Sequence, residues 1–296
     1  TDSFVDYTRL KQLCRQKVDS RAMKQLTIRG DLKLLDLTDD LKPIGDFPVA
    51  GGAYSDLGQG EWFDPVEKKA KLIFNRWYVP RQVAVKYLRQ VLFTNAQDKL
   101  LKRLQAEILV WHQLAHRNVA PLYGLVQNSK GIGMVSLWYN NGTLYQYMQD
   151  RPHVNKLALI VQIAQGLSYL HNFTPSIVHG DLKASNILVD AEGQAVITDF
   201  GLSGVKDLSR SFTSVRHLQP ASSFLGGSTR WMAPELFLYE SESNWIGVTT
   251  ASDVFAFAST CLEIITGKIP YSCYQQDSTV MLKIVQGVKT SSRRVT

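Results

Sequence analysis

Residues 177–189 read Ile177-Val178-His179-Gly180-Asp181-Leu182-Lys183-Ala184-Ser185-Asn186-Ile187-Leu188-Val189. Two short apolar runs, Ile177-Val178 and Ile187-Leu188-Val189, bracket a polar centre that holds Asp181, Lys183 and Asn186. Ile187–Val189 predicts a short strand, and Ala195–Thr198 predicts another after it. The tripeptide Asp199-Phe200-Gly201 comes next, thirteen residues after Asn186 and directly behind the second apolar run. Upstream, 154–173 carries Leu157, Ile160, Val161, Ile163, Ala164, Leu167 and Leu170 at helical spacing. That periodicity predicts a long helix packed under the 177–189 loop.

Composition narrows the class. The chain has 296 residues, 45% hydrophobic and 20% charged, with a net charge of +7. This is the profile of a globular protein of one large or two modest domains. No dense Lys/Arg block with interleaved aromatics occurs, so nucleic-acid binding is not expected. No apolar run reaches the length of a membrane span, and Thr1-Asp2-Ser3 opens no signal peptide. The start without Met suggests a fragment or a processed chain. Cys14, Cys261 and Cys273 are too few and scattered for a disulfide framework or a zinc site. They read as buried small apolar residues in a reducing compartment, which points to the cytoplasm.

Further motifs stand on either side. Val49-Ala50-Gly51-Gly52-Ala53-Tyr54-Ser55-Asp56-Leu57 is a glycine-containing turn ahead of the strand Val83-Ala84-Val85-Lys86. Taken alone, a Gly-Gly pair is a turn and a strand-end Lys is solvated surface. A helix is predicted from about Asn95 to Leu114, with Leu100, Leu101, Leu104, Ile108 and Trp111 on one face and Glu107 among them. Met134 to Leu137 reads as a strand that runs into a turn at Asn140-Asn141-Gly142. Residues 201–232 are polar and Ser-rich, and end at Gly227-Ser228-Thr229-Arg230-Trp231-Met232-Ala233-Pro234-Glu235.

Taken in this order, the motifs resemble the eukaryotic protein kinase catalytic domain, of the tyrosine-kinase-like serine/threonine type. The resemblance covers about Val49 to Pro270. It implies an α+β, two-lobed kinase fold with a small, mostly β lobe (47–137) and a larger α-helical lobe (138–296). Residues 1–46 stand outside it as an amino-terminal extension. Leu10, Leu13, Cys14 and Val18, and then Leu34, Leu37 and Leu41, keep a helical spacing there, so one or two amphipathic helices are expected, packed on the next domain or open to a partner.

The resemblance also assigns roles. Asp181 would accept the proton of a substrate hydroxyl, and Lys183 would neutralise charge on the moving phosphoryl group. Asn186 and Asp199 would hold Mg²⁺. ATP would meet Ala50, Gly51, Gly52, Ser55 and Leu57 of the glycine loop, where small residues let backbone N–H groups approach phosphate. Lys86 would contact the phosphates and pair with Glu107. Ala84, Ser136, Leu137, Tyr139 and Leu188 complete the nucleotide site, with backbone groups near Leu137 and Tyr139 on the adenine and Ser136 guarding an open inner pocket. Ser228 would bond to the catalytic Asp and Lys, and Asp253 would accept N–H bonds from the catalytic loop. The implied activity is ATP- and Mg²⁺-dependent transfer to Ser/Thr hydroxyls of protein substrates.

Four departures bear on this. Ala50 and Ser55 replace two glycines of the loop, and the segment Glu61–Arg81 is an enlarged hairpin. Gly180 stands where the family has Arg, so phosphorylation of Ser209, Ser211, Thr213, Ser222 or Ser223 is not expected to switch activity through that side chain. The family continues beyond the point where this chain stops and supplies an Arg for the Glu of Ala-Pro-Glu, so Glu235 lacks a clear partner and the large lobe reads as carboxy-terminally truncated. These features motivate an alternative, a weak or inactive kinase-like scaffold that binds nucleotide or protein partners. The complete set Lys86, Glu107, Asp181, Lys183, Asn186 and Asp199 argues against it. A small-molecule phosphotransferase fits less well, because Ala233-Pro234-Glu235 and the long polar segment serve protein substrates.

Overall fold

The computed structural model describes residues 25–29, 32–45, 48–51, 55–64, 80–88, 108, 111–128, 131–199, 204–205, 228–238 and 248–290. The chain divides into two compact units, Thr1–Arg89 with Leu122–Trp138, and Gln90–Pro121 with Tyr139–Thr296.

The first unit is built on strands. β1 (Gln25–Arg29) pairs antiparallel with β2 (Leu32–Leu35). β3 (Leu41–Ile44), β4 (Ala50–Gly51), β5 (Ser55–Trp62), β6 (Arg81–Leu88), β7 (Leu122–Asn128) and β8 (Gly131–Leu137) form a six-stranded sheet in the order β3-β5-β6-β8-β7, with β4 also on β5. The helical spacing read at Leu34, Leu37 and Leu41 is therefore corrected: this stretch is strand and turn. Leu34 lies in β2, Leu41 in β3, and Leu37 is 1% exposed, with its N–H on Leu125 O. Leucines three and four apart also suit short strands broken by turns, and Gly30-Asp31 between β1 and β2 is a turn signal in the sequence. The earlier positions, Leu10 to Val18, lie outside the described residues.

Strand alternation gives this sheet two different faces. Val83, Val85 and Tyr87 point to one side and pack with Leu37, Trp62, Val126 and Val135 in a buried cluster. Ala84 and Lys86 point to the other. Their neighbours there follow from register, since Leu57 and Met134 lie opposite Lys86, and Gln59 and Ser136 opposite Ala84. The enlarged hairpin closes at its base, where Trp62 pairs with Arg81.

The second unit is mainly helical. α1 (Leu144–Asp150) opens on a capping box, in which Thr143 and Gln146 satisfy each other's backbone N–H groups. α2 (Lys156–His171) buries Leu159, Ile163, Gly166, Leu167 and Leu170. Leu157 and Val161 belong to the same apolar period, yet they are 70% and 47% exposed. The helix thus carries more apolar positions than its buried face uses. Two short antiparallel ribbons lie on it: β9 (Ile177–Val178) with β12 (Gly204–Val205), and β10 (Ile187–Val189) with β11 (Ala195–Ile197). α3 (Thr250–Thr266) starts at a second capping box, Thr249 with Ser252, and α4 (Asp277–Val285) follows. Burial of Ile163, Leu170, Ile177, Leu182, Ile187 and Ile197 between these elements contributes about 1.5–3 kcal/mol per side chain. Cys261 is half-buried and Cys273 exposed, so the expectation of buried cysteines fails at Cys273. No helix among the described residues is long and apolar enough to cross a membrane.

At Gly166, α2 lies close against the 118 turn and β11. A Cβ there would sit 2.7 Å from Asn118 O and 2.9 Å from Ile197 Cδ1. Gly166→Ala is expected to destabilise the second unit by roughly 1–3 kcal/mol, as overpacking against backbone does. Urea melts that show no loss would mean the helix can shift without cost.

Candidate active site

The 177–189 loop is shaped by one buried carboxylate. Asp253, in the first turn of α3, is 1% exposed and accepts the N–H of His179 (2.7 Å, Oδ2) and of Gly180 (2.8 Å, Oδ1). His171 Nε2, at the end of α2, lies 2.9 Å from Oδ2 and donates to it. Burying a carboxylate is costly unless donors replace its water, and here three do. Gly180 takes φ +82, a conformation that glycine adopts without steric cost. Asp181 N–H donates to His179 Nδ1 (3.2 Å), so His179 Nε2 carries the proton donated to Thr198 O (2.9 Å). That bond ties the loop to the strand end before Asp199.

This frame gathers three expected residues. Lys183 Nζ lies 3.0 Å from Asp181 Oδ2 and donates to Ser228 Oγ at 2.6 Å. Asn186, 7% exposed, donates from Nδ2 to both Asp181 O and Asp181 Oδ2, each at 2.8 Å. Asp181 is thereby held by a cation and an amide on the same oxygen. Thr198 N–H donates to Asn186 O (3.0 Å), which brings Asp199 next to Asn186. Asp199 has φ +66, unusual for a residue with a Cβ and typical of strain kept at functional positions. Of the two expected partners of Ser228, Lys183 is hydrogen-bonded to it. Leu188 is half-buried in β10, with Thr143 bridged to it.

The structure adds residues that the sequence reading passed over. Glu263, 3% exposed on α3, accepts from Ala184 N–H (3.2 Å) and from Trp231 Nε1 (3.0 Å) on one oxygen, Oε2. It joins the loop to the strip 228–231, whose Thr229–Trp231 form a 3₁₀ turn. Thr260 Oγ1 reaches Leu182 O at 3.4 Å. Arg230, 7% exposed, is bonded to the turn ahead of α4. The signal for these was weak, because a Glu and a Thr within an apolar helix and an Arg beside a Trp fit many motifs. Glu235 is half-buried.

In the first unit, Leu57, Ala84, Lys86 and Ser136 share the sheet face opposite its buried cluster. Ala84 and Ser136 are buried, and Lys86 and Leu57 half-buried. Ala50 and Gly51 form β4, with Ala50 opposite Leu57, and Ser55 begins β5. Leu137 ends β8, and Tyr139, in the other unit, is buried. Gly52, Glu107, Phe200, Gly201 and the hydroxyls of 209–223 lie outside the described residues. The Lys86–Glu107 pair rests on one of them, and Trp111 Nε1 donates to Ala120 O at 2.6 Å.

Burial pushes the Glu263 carboxyl above its ordinary value of 4.5, against the pull of the Ala184 and Trp231 donors and of Lys183. Just above pH 4.5 the folded chain therefore keeps a proton that the unfolded chain has released, and stability falls as pH rises through that window. Glu263→Gln cannot ionise and is expected to lack this fall. In urea melts from pH 4.5 to about 7, the stability of wild type minus that of the variant should decline as pH rises. Parallel curves would show that Glu263 does not titrate in this range.

Comparison with known proteins bears on the same residues. The family described as protein tyrosine and serine/threonine kinase matches residues 51–294. An L-type lectin-domain containing receptor kinase I.7 of Arabidopsis thaliana is 33% identical over 196 residues, 64% of this chain and 26% of that protein. Serine/threonine-protein kinase STY46 of the same organism is 27% identical over 227 residues, 75% of this chain and 33% of its own. A probable serine/threonine-protein kinase, qkgA, of Dictyostelium discoideum is 34% identical over 192 residues, 60% of this chain and 11% of its own. The chain thus matches a third or less of the length of each of these relatives. With Asp181, Lys183, Asn186 and Ser228 gathered around one loop and the family's match running over most of the sequence, the chain belongs to the protein tyrosine and serine/threonine kinase family and has its α+β kinase fold.

Proposed function

We propose that this domain transfers the γ-phosphoryl group of ATP to serine or threonine hydroxyls of protein substrates. The observation that carries the reading is the shared hold on Asp181 Oδ2 by Lys183 and Asn186, with Ser228 on Lys183. The names of the relatives STY46 and qkgA, both serine/threonine-protein kinases, support the choice of hydroxyl.

In this reading Asp181 accepts the proton of the substrate hydroxyl as its oxygen forms a bond to the γ-phosphorus and the bond to the β-phosphate oxygen breaks. Lys183 moves from Asp181 and Ser228 toward the transferring oxygens, whose charge it offsets. Lys86 holds the phosphates, and Ala50, Gly51, Gly52, Ser55 and Leu57 cover them, with Ala84, Ser136, Leu137, Tyr139 and Leu188 around the base and Glu107 on Lys86. Members of the family use Mg²⁺ in general. Asn186 and Asp199 fit it, since Asn186 spends its Nδ2 on Asp181 while its Oδ1 has no hydrogen bond among the described residues, and two oxygen ligands plus phosphate suit this cation. Bound there, Mg²⁺ would neutralise phosphate charge.

Asp181→Asn is expected to lower kcat for a generic Ser/Thr protein substrate by about 10²–10⁴, the usual worth of a general base. Asp199→Ala should abolish transfer. A folded wild-type chain that binds ATP and transfers nothing would replace this reading with the scaffold. Gly180 offers no guanidinium to a phosphorylated 209–223 segment, so phosphatase treatment is expected to leave activity within about twofold. A large drop after phosphatase would show that the segment is read by another cation.

A further inference from the structure

We infer that Arg230 is a positioning residue for the protein substrate, locking the strip that ends in Ala-Pro-Glu onto the turn ahead of α4. The inference rests on the kinase reading above. Arg230 Nη1 donates to Pro270 O (3.2 Å) and Tyr271 O (3.0 Å), and Nη2 to Tyr274 O (3.0 Å) and Gln275 O (3.2 Å). Nε pairs with Asp277 Oδ1 at 3.0 Å, in the first turn of α4. One buried planar fork thus gathers four backbone carbonyls and a carboxylate. The three rotatable donors of an ammonium could not serve all five.

The position of Arg230 in the chain gives these bonds their consequence. Two residues before it, Ser228 Oγ receives Lys183 Nζ, and one residue after it, Trp231 Nε1 reaches the Glu263 oxygen that also holds Ala184 N–H. Residues 228–231 therefore have two attachments to the catalytic loop and, through Arg230, one large attachment to 270–277. The loop side fixes the strip near Asp181, and the Arg230 side fixes its far edge. Loss of the fork leaves Lys183, Asp181 and Asn186 with their own bonds but lets the strip tilt. The effect should fall on the docking of a protein chain and spare the nucleotide.

The test uses the chain with Arg230→Lys, Arg230→Ala and Asp277→Asn, read in two ways. Deuterium exchange of amides 228–232 and 270–276 should rise at least about threefold in Arg230→Lys, with β10 and β11 unchanged, because opening of the strip becomes local. The KM for a Ser/Thr peptide should rise about tenfold while the KM for ATP stays within about twofold. Asp277→Asn keeps the four carbonyl bonds and should raise the peptide KM by about twofold at most. Arg230→Lys keeps a charge in the site and carries the test if Arg230→Ala does not fold. Unchanged exchange at 228–232, or equal rises in both KM values, overturns the inference. Absence of transfer in wild type instead overturns the kinase reading, and the exchange comparison then still decides whether Arg230 holds the strip.

Discussion

The loop that carries Asp181 depends on a carboxylate from outside it, Asp253 of α3. Asp253 accepts the N–H groups of His179 and Gly180 and the imidazole of His171, so α2, α3 and the catalytic loop converge on one side chain. Helix α3 can place it there because Thr249 and Ser252 cap the start of the helix, leaving Asp253 to serve the loop instead of its own backbone. A lone carboxylate at 1% exposure would be strongly disfavoured, and the three donors remove that penalty only when the loop is in place. The bonds make the loop's shape and the burial of Asp253 conditional on each other.

A second buried carboxylate repeats the device ten residues along the same helix. Glu263 holds Ala184 N–H and Trp231 on a single oxygen, so α3 fixes both the residue after Lys183 and the strip that carries Ser228. Lys183 then has its two oxygen partners, Asp181 and Ser228, brought to it from either side. The cation is placed by the backbone around it more than by its own stem, which is flexible.

The placement of the candidate site residues was legible where spacing forces it. Asp181, Lys183 and Asn186 lie within one short loop, and their mutual bonds follow almost from chain geometry. The faces of β5, β6 and β8 were legible too, because period-two alternation leaves Ala84 and Lys86 opposite the Val83–Val85 core. The amino-terminal region misled, since leucines at 34, 37 and 41 satisfy a helical period that tertiary pairing of β2 and β3 overrides. Along α2 the period was correct and its burial was not, with Leu157 and Val161 turned outward. Glu263, Trp231 and Arg230 stayed hidden because their partners are backbone groups and side chains 32 to 79 positions away. Pairings at that range leave no periodic trace.

Gly180 shows why a departure from the family's pattern need not dismantle the loop. What Asp253 binds at this position is the backbone N–H, which every residue but proline supplies. The backbone at 180 has φ +82, where a residue with a Cβ carries strain of order 1–2 kcal/mol and glycine does not. Glycine thus relaxes the turn before Asp181 while it removes a cation from the loop's surface. Asp199, by contrast, takes φ +66 although it carries a Cβ. The turn before Asp181, the proposed base, is relaxed, and Asp199, proposed to hold the metal, is not.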